Sequence, residues 1–245
     1  MRLVPLNSAR GLRLVTLLLA GMVVTPVQAE HPDRYAMALI DKLEWRDADG
    51  PNELHWDSEG WWGSDEHKLA WRFEGEEALG GSGGETETQL LYNRLIAPFW
   101  DLQAGLRYDR SFGPGPHDDG FHAVAGIVGE APYRLETEAL LFLSEEGDLA
   151  LGLEVERDLY LTRRWVVQPR LGLSVATGQD EEFGAGEGLR EVELDLRLRY
   201  ELRPGMGPYV GVSWGRSFGD TADFALADGE RRSHLAWVAG LRWWF

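Results

Sequence analysis

From about residue 35 to its end the chain repeats one pattern, an apolar side chain at every second position, interrupted by polar or glycine-rich segments. Clear examples are Leu69, Trp71 and Phe73; Trp100, Leu102, Ala104, Leu106 and Tyr108; Leu135, Thr137, Ala139, Leu141 and Leu143; and the closing Leu235, Trp237, Ala239, Leu241, Trp243 and Phe245. Period two is the mark of a β-strand with one apolar face. Twelve such runs are legible, with YAMALIDKLEW (35–45) and TETQLLYNRLI (86–96) the least regular.

In EVELDLRLRY one register puts Val192, Leu194, Leu196 and Leu198 on one face and Glu191, Glu193, Asp195, Arg197 and Arg199 on the other. The same alternation serves a soluble sandwich, with core inside and water outside, and a membrane barrel, with lipid outside and a polar lumen. Connector lengths separate the two. Longer polar connectors such as GEEALGGSGGE, RSFGPGPHDDG and ATGQDEEFGAGEG alternate with tight ones such as GSDEH, APF, GEAP, LTRR and RPGMG. The expected fold is therefore all-β, a transmembrane up-and-down antiparallel β-barrel of about twelve strands with short periplasmic turns and longer extracellular loops. Ala97-Pro98-Phe99-Trp100, Ala131-Pro132-Tyr133 and Gly207-Pro208-Tyr209 place aromatics beside the short turns, as an interfacial girdle requires.

The first 29 residues combine Arg2, Arg10 and Arg13 with an apolar run from Leu14 to Val24 and end on Ala29, which reads as a cleaved secretory signal peptide. Residues 30–36 are then a short N-terminal segment and residues 37–245 the barrel. Removing the signal takes away three arginines and no acid, so the formal charge of −17 becomes −20. That charge argues against nucleic acid as a partner. An exported chain without cysteine fits a Gram-negative envelope protein better than a disulfide-stapled secreted domain. The chain also ends on an aromatic residue after alternating apolar ones, which resembles the signal that the outer-membrane assembly machinery reads.

Several stretches together resemble the outer-membrane copper resistance protein B family: DKLEWRDADG (41–50), IAPFWDLQAGLRYD (96–109), LTRRWVVQPRL (161–171), LRLRYE (196–201), PYVGVSW (208–214), FGDTAD (218–223) and the closing WF. The resemblance runs from about Met37 to Phe245. It implies an outer-membrane barrel in copper resistance and homeostasis that binds copper ions or passes them across the membrane, with a periplasmic multicopper oxidase as a partner. Many members carry a methionine- and histidine-rich segment before the barrel; here that interval is EHPDRYA, with His31 and no methionine ahead of Met37.

Within the barrel, alternation sends His55 and His122 into the lumen with Glu136, Glu138, Glu154, Glu156, Glu191 and Glu193. Imidazole can ligate copper, and the carboxylates could add oxygen ligands or an attractive field for cations, so His55, His122, Glu136 and Glu154 are candidate metal ligands, with the oxidation state of the copper left open. His67 in the turn GSDEH and His117 in the loop PGPHDDG are further candidates. The opposing reading pairs these acids with the inward Arg72, Arg107, Arg170, Arg197, Arg199 and Arg242 as a satisfied polar core, making the molecule a generic pore or structural barrel without metal specificity. An enzyme is not expected: Ser233 and His234 are adjacent but project to opposite faces of a strand, and no other set resembles a catalytic triad.

Overall fold

A computed structural model describes residues 34–47, 51–80, 83–113, 119–178, 186–227 and 231–245. The expected signal peptide, and the loop residue His117, lie outside these residues. Thirteen strand segments follow in chain order: β1 (Tyr35–Asp47), β2 (Glu53–Gly63), β3 (His67–Ala78), β4 (Gly84–Ala97), β5 (Trp100–Phe112), β6 (Asp119–Ala131), β7 (Leu135–Ser144), β8 (Leu149–Glu156), β9 (Leu159–Tyr160), β10 (Trp165–Ala176), β11 (Gly188–Tyr200), β12 (Met206–Ser217) and β13 (Ser233–Trp244). Segments β8 and β9 both pair with β10 and form one broken stave, so the barrel has twelve. Every neighbour is antiparallel, and the sheet closes on itself through β13 and β1.

That seam explains the C-terminal pattern. Ala38 and Phe245 exchange backbone hydrogen bonds, Ala38 N donating to Phe245 O at 3.0 Å and Phe245 N to Ala38 O at 2.9 Å. Hydrocarbon offers no water to an unpaired N–H or C=O, each of which costs several kcal/mol there, so the ribbon is stable across a membrane only when its edges are joined. β13 then needs apolar residues on its lipid face to the last position, and Leu235, Trp237 and Trp243 are exposed on that face.

The break between β8 and β9 and the irregular start of β1 have local causes. Pro169 lies inside β10 and has no N–H to donate. Its ladder with β11 runs on through Leu196, whereas on the other edge pairing stops after Glu156 and resumes at Leu159. Across the gap Arg157 N still reaches Pro169 O at 3.2 Å. In β1 a bulge between Ile40 and Lys42 inserts Asp41 and shifts the alternation. Leu39 therefore turns into the lumen before the bulge, and Lys42, Glu44 and Arg46 turn into it afterwards.

The lipid face matches the alternation, with Leu69, Leu102, Leu106, Leu141, Leu151, Leu194, Leu196 and Val210 all exposed. At the short-turn rim Phe99 and Tyr133 are 75% and 81% exposed, and both hold φ of 69°. Each follows a proline, the arrangement of a type II turn, where glycine is usual at the second central position. An aromatic side chain there costs about 1–3 kcal/mol of backbone strain; the interfacial position of the ring offsets it. Close strand contacts elsewhere use glycine: a Cβ at Gly75 would lie 2.4 Å from the Trp56 ring, and one at Gly240 2.5 Å from the Tyr209 hydroxyl.

The connector after β12, read from sequence as a polar loop, contains helix α1 (Gly219–Ala227). Nine residues are too few to hold a helix unaided. Packing supplies the rest: Ala222 is buried, and Thr221 Oγ1 accepts a hydrogen bond from Gly186 N at 2.8 Å. Among the described residues no helix is long and apolar enough to cross a membrane, and the chain crosses with strands.

Leu196→Arg should destabilise the refolded barrel by roughly 2–4 kcal/mol, the cost of an arginine on the lipid face near the midplane. Urea unfolding in lipid vesicles measures it, and an unchanged midpoint would contradict a hydrocarbon environment for that face.

Candidate metal centre in the lumen

The inward faces carry most of the charge, and most of it is paired. Glu44, fully buried, accepts hydrogen bonds from Arg46 Nε and Arg197 Nε, each at 2.8 Å. Arg197 also donates to Asp195 at 2.9 Å, Arg170 approaches Asp195 at 3.7 Å, and Arg170 in turn holds Glu154. Isolated charges in such a site would be prohibitive, so each is met by an opposite one. On the other wall Lys42 meets Asp57 at 3.1 Å, and Arg107 meets Glu87 and Asp109, both at 2.7 Å. Arg72 on β3 reaches across to Glu138 on β7 with two hydrogen bonds.

Beside this charged belt lies a small apolar cluster, also lumenal. Ala70, Leu91, Val124 and Leu140 are buried together, with Trp61 and Phe142 against them. Side chains thus fill much of the middle of the lumen, as a narrow barrel allows. Open spaces include a cavity of ≈ 210 Å³ on the loop side, lined among others by Glu74, Glu87, Arg107 and Glu191, and one of ≈ 100 Å³ near the short turns, lined among others by Asp158, Arg199, Arg242 and Trp244.

At the loop end of the lumen one group has the geometry of a metal site. His55 Nε2 lies 3.2 Å from Glu53 Oε2 and 3.1 Å from Glu76 Oε2, and the three ligand atoms fall within 4.8 Å of one another. Bonds of about 2.0–2.2 Å at tetrahedral or square angles separate neighbouring donors by about 2.8–3.6 Å. The set could therefore close on a first-row divalent ion with little movement. One imidazole and two carboxylates suit Cu(II) better than Cu(I), which favours sulfur. Glu53 precedes His55 by two residues on the same strand face, a spacing visible in the sequence. Glu76 faces His55 across the β2–β3 register, which no reading of either strand alone supplies.

The other candidates stand apart from this group. His122 points inward from β6, 3.3 Å from Asp109, an acid that Arg107 also holds. His67 lies at the short-turn rim, where its Nδ1 is 2.6 Å from the Tyr92 hydroxyl and the two rings stack at 6.0 Å. Glu154 is the partner of Arg170 in the belt, and Glu136 faces Glu156 and Glu130 towards the short turns. Glu53 and Glu76 were not among the candidates. His234 was considered only beside Ser233; it is half-buried on β13, its ring over Gly215, where a Cβ would lie 2.2 Å from Cε1.

Residues 34–245 match the family model described as Copper resistance protein B precursor (CopB). The chain is 39% identical over 212 residues to Copper resistance protein B of Escherichia coli, covering 85% of this chain and 69% of that protein. It is 42% identical over 207 residues to the Copper resistance protein B homolog of Pseudomonas syringae pv. tomato (strain ATCC BAA-871 / DC3000), covering 84% and 69%. Among solved structures the NanC porin superposes with a TM-score of 0.54 at 9% identity, covering 84% of this chain and 98% of that one. The KdgM porin in complex with disordered oligogalacturonate gives 0.51 at 9% identity, with 85% and 98% covered. At that identity the porin likeness concerns the fold alone, a closed outer-membrane barrel.

Replacing Arg72 and Glu138 together with alanine removes the hydrogen-bonded pair that ties β3 to β7 across the lumen. Single-channel conductance in planar bilayers should rise at least about twofold over the unaltered barrel, as removing side chains from a filled lumen widens it. Equal conductance would place the constriction elsewhere.

Proposed function

The chain belongs to the copper resistance protein B family, and from that premise we propose that this outer-membrane barrel takes up Cu(II) at the outer mouth of its lumen, at His55, Glu53 and Glu76. The convergence of one imidazole and two carboxylates is the observation that carries the reading. Copper is the cargo. His55 supplies the nitrogen donor, and the two glutamates supply oxygen donors and offset the ion's charge. The acidic lumen concentrates cations at the entrance, while the mid-lumen ion pairs and the apolar cluster oppose unassisted diffusion past them. This favours capture at the mouth over a generic pore.

His122 with Asp109 is a second nitrogen–oxygen pair on another wall, and His117, outside the described residues, is a further candidate donor. His67, Glu136 and Glu154 take structural parts in this reading. The exit side faces the periplasm, where a multicopper oxidase is the class of protein that would use the copper. The β13 end, with Phe245 terminal, is what the assembly machinery would read during insertion. Residues 1–29 serve as the signal peptide.

Titration of the refolded barrel with Cu(II) tests the site. His55→Ala should weaken binding at least about tenfold, because imidazole is the strongest donor of the set for Cu(II), and a Glu53→Gln/Glu76→Gln double variant should weaken it comparably. Affinity equal to that of the unaltered barrel in both variants would remove the mouth site. A deletion strain with unaltered copper tolerance would remove the copper role itself.

A further inference from the structure

Below the mouth group, four acids stand side by side on four strands. Asp57 faces Glu74, Glu74 faces Glu87, and Glu87 faces Asp109 in the strand registers. Like charges directly opposite one another destabilise a sheet. Lys42 meets Asp57, and Arg107 meets both Glu87 and Asp109. Glu74, between them, makes no ion pair among the described residues.

Glu74 and Glu87 open on the ≈ 210 Å³ cavity, whose wall holds six carboxylates against two guanidinium groups. Gln89 lines the same cavity and is only 3% exposed. Its Nε2 donates to Glu87 Oε1, and the reverse orientation would set an oxygen against a carboxylate, so the amide direction is determined. Gln89 Oε1 is then left without a hydrogen-bond donor. A buried acceptor in that state calls for an explanation, an unseen ion among them.

A cation in this cavity supplies Glu74 with a counter-charge and offsets the repulsion along the row, and a small turn of the Gln89 amide, whose oxygen has almost no surface open to the cavity, would give that oxygen a partner as well. The donors are all oxygen, without imidazole or sulfur, which suits hard ions and not copper. The carboxylates here do not converge within 4.8 Å as the mouth ligands do. The space, however, is large enough for an ion together with several waters. An ion that keeps several waters and binds through one or two carboxylates fits this description, as Mg²⁺ commonly does and Ca²⁺ can.

We propose that the lumen holds a partly hydrated hard divalent cation, Ca²⁺ or Mg²⁺, between Glu74, Glu87 and Gln89, as a site separate from the copper-binding mouth. The ion is a built-in counter-charge for the β2–β5 wall. It does not depend on the copper reading, since neither His55 nor Glu53 takes part.

The test uses the refolded barrel stripped with EDTA, followed by equilibrium dialysis and thermal unfolding with Ca²⁺ or Mg²⁺ alone. The unaltered barrel should bind about one ion and unfold at a higher temperature with it than without. Glu74→Gln removes a repulsive charge, so in EDTA it should unfold above the unaltered barrel, yet gain nothing from either ion. Gln89→Leu should weaken ion binding about tenfold; because it also removes the Nε2 hydrogen bond to Glu87, it is read by the smaller rise in unfolding temperature that the ion gives it and not by its unfolding temperature in EDTA. His55→Ala should keep Ca²⁺ binding and Glu74→Gln should keep Cu(II) binding, which separates failure of this site from failure of the mouth. Absence of Ca²⁺ and Mg²⁺ binding would overturn the proposal. So would equal binding and equal stabilisation in all three proteins, or displacement of the bound ion by one equivalent of Cu(II).

Discussion

Everything in this molecule follows from the pairing of β13 with β1. A sheet in hydrocarbon cannot leave an edge open, because its N–H and C=O groups have no water to turn to. The exchange between Ala38 and Phe245 completes the ring at the very end of the chain. Once the ring is closed, each strand has a lipid side and a lumen side, and the alternation of residues acquires its meaning.

Closure also forces the interior to solve an electrostatic problem. Acids and arginines confined to a narrow lumen must find one another, and the chain from Arg46 through Glu44, Arg197, Asp195 and Arg170 to Glu154 does so over β1, β11, β10 and β8. The bulge in β1 belongs to this solution. By moving the alternation one position it brings Lys42 opposite Asp57 and sets Asp41 2.8 Å from Arg242, while Leu39 turns inward near the short turns. Where pairing is incomplete, at the mouth and along the Asp57–Asp109 row, surplus carboxylate remains, and those are the places suited to cations.

Porins and this chain therefore share a fold, a closed antiparallel barrel. Membership of the copper resistance protein B family rests on sequence similarity over residues 34–245. The likeness to solved porins, at 9% identity, concerns the fold alone. In this chain the candidate metal group, His55 with Glu53 and Glu76, sits on the inward faces of β2 and β3.

The strands, their lipid faces outside β1 and their connector lengths were legible in the residues alone, since period two and turn residues are local and strong; in β1 the bulge at Asp41 moves the alternation. The sequence by itself also determined that His55 and His122 face inward, which parity alone decides. Four features were beyond it because they depend on what lies opposite. The β8–β9 break needs the ladder that Pro169 interrupts, and α1 needs the surface that buries Ala222. The convergence of Glu76 on His55, like the orphan oxygen of Gln89, arises only when strand register places side chains from different strands in one space. Register is set by closure of the whole ring, and so only the tertiary structure decided which inward residues meet.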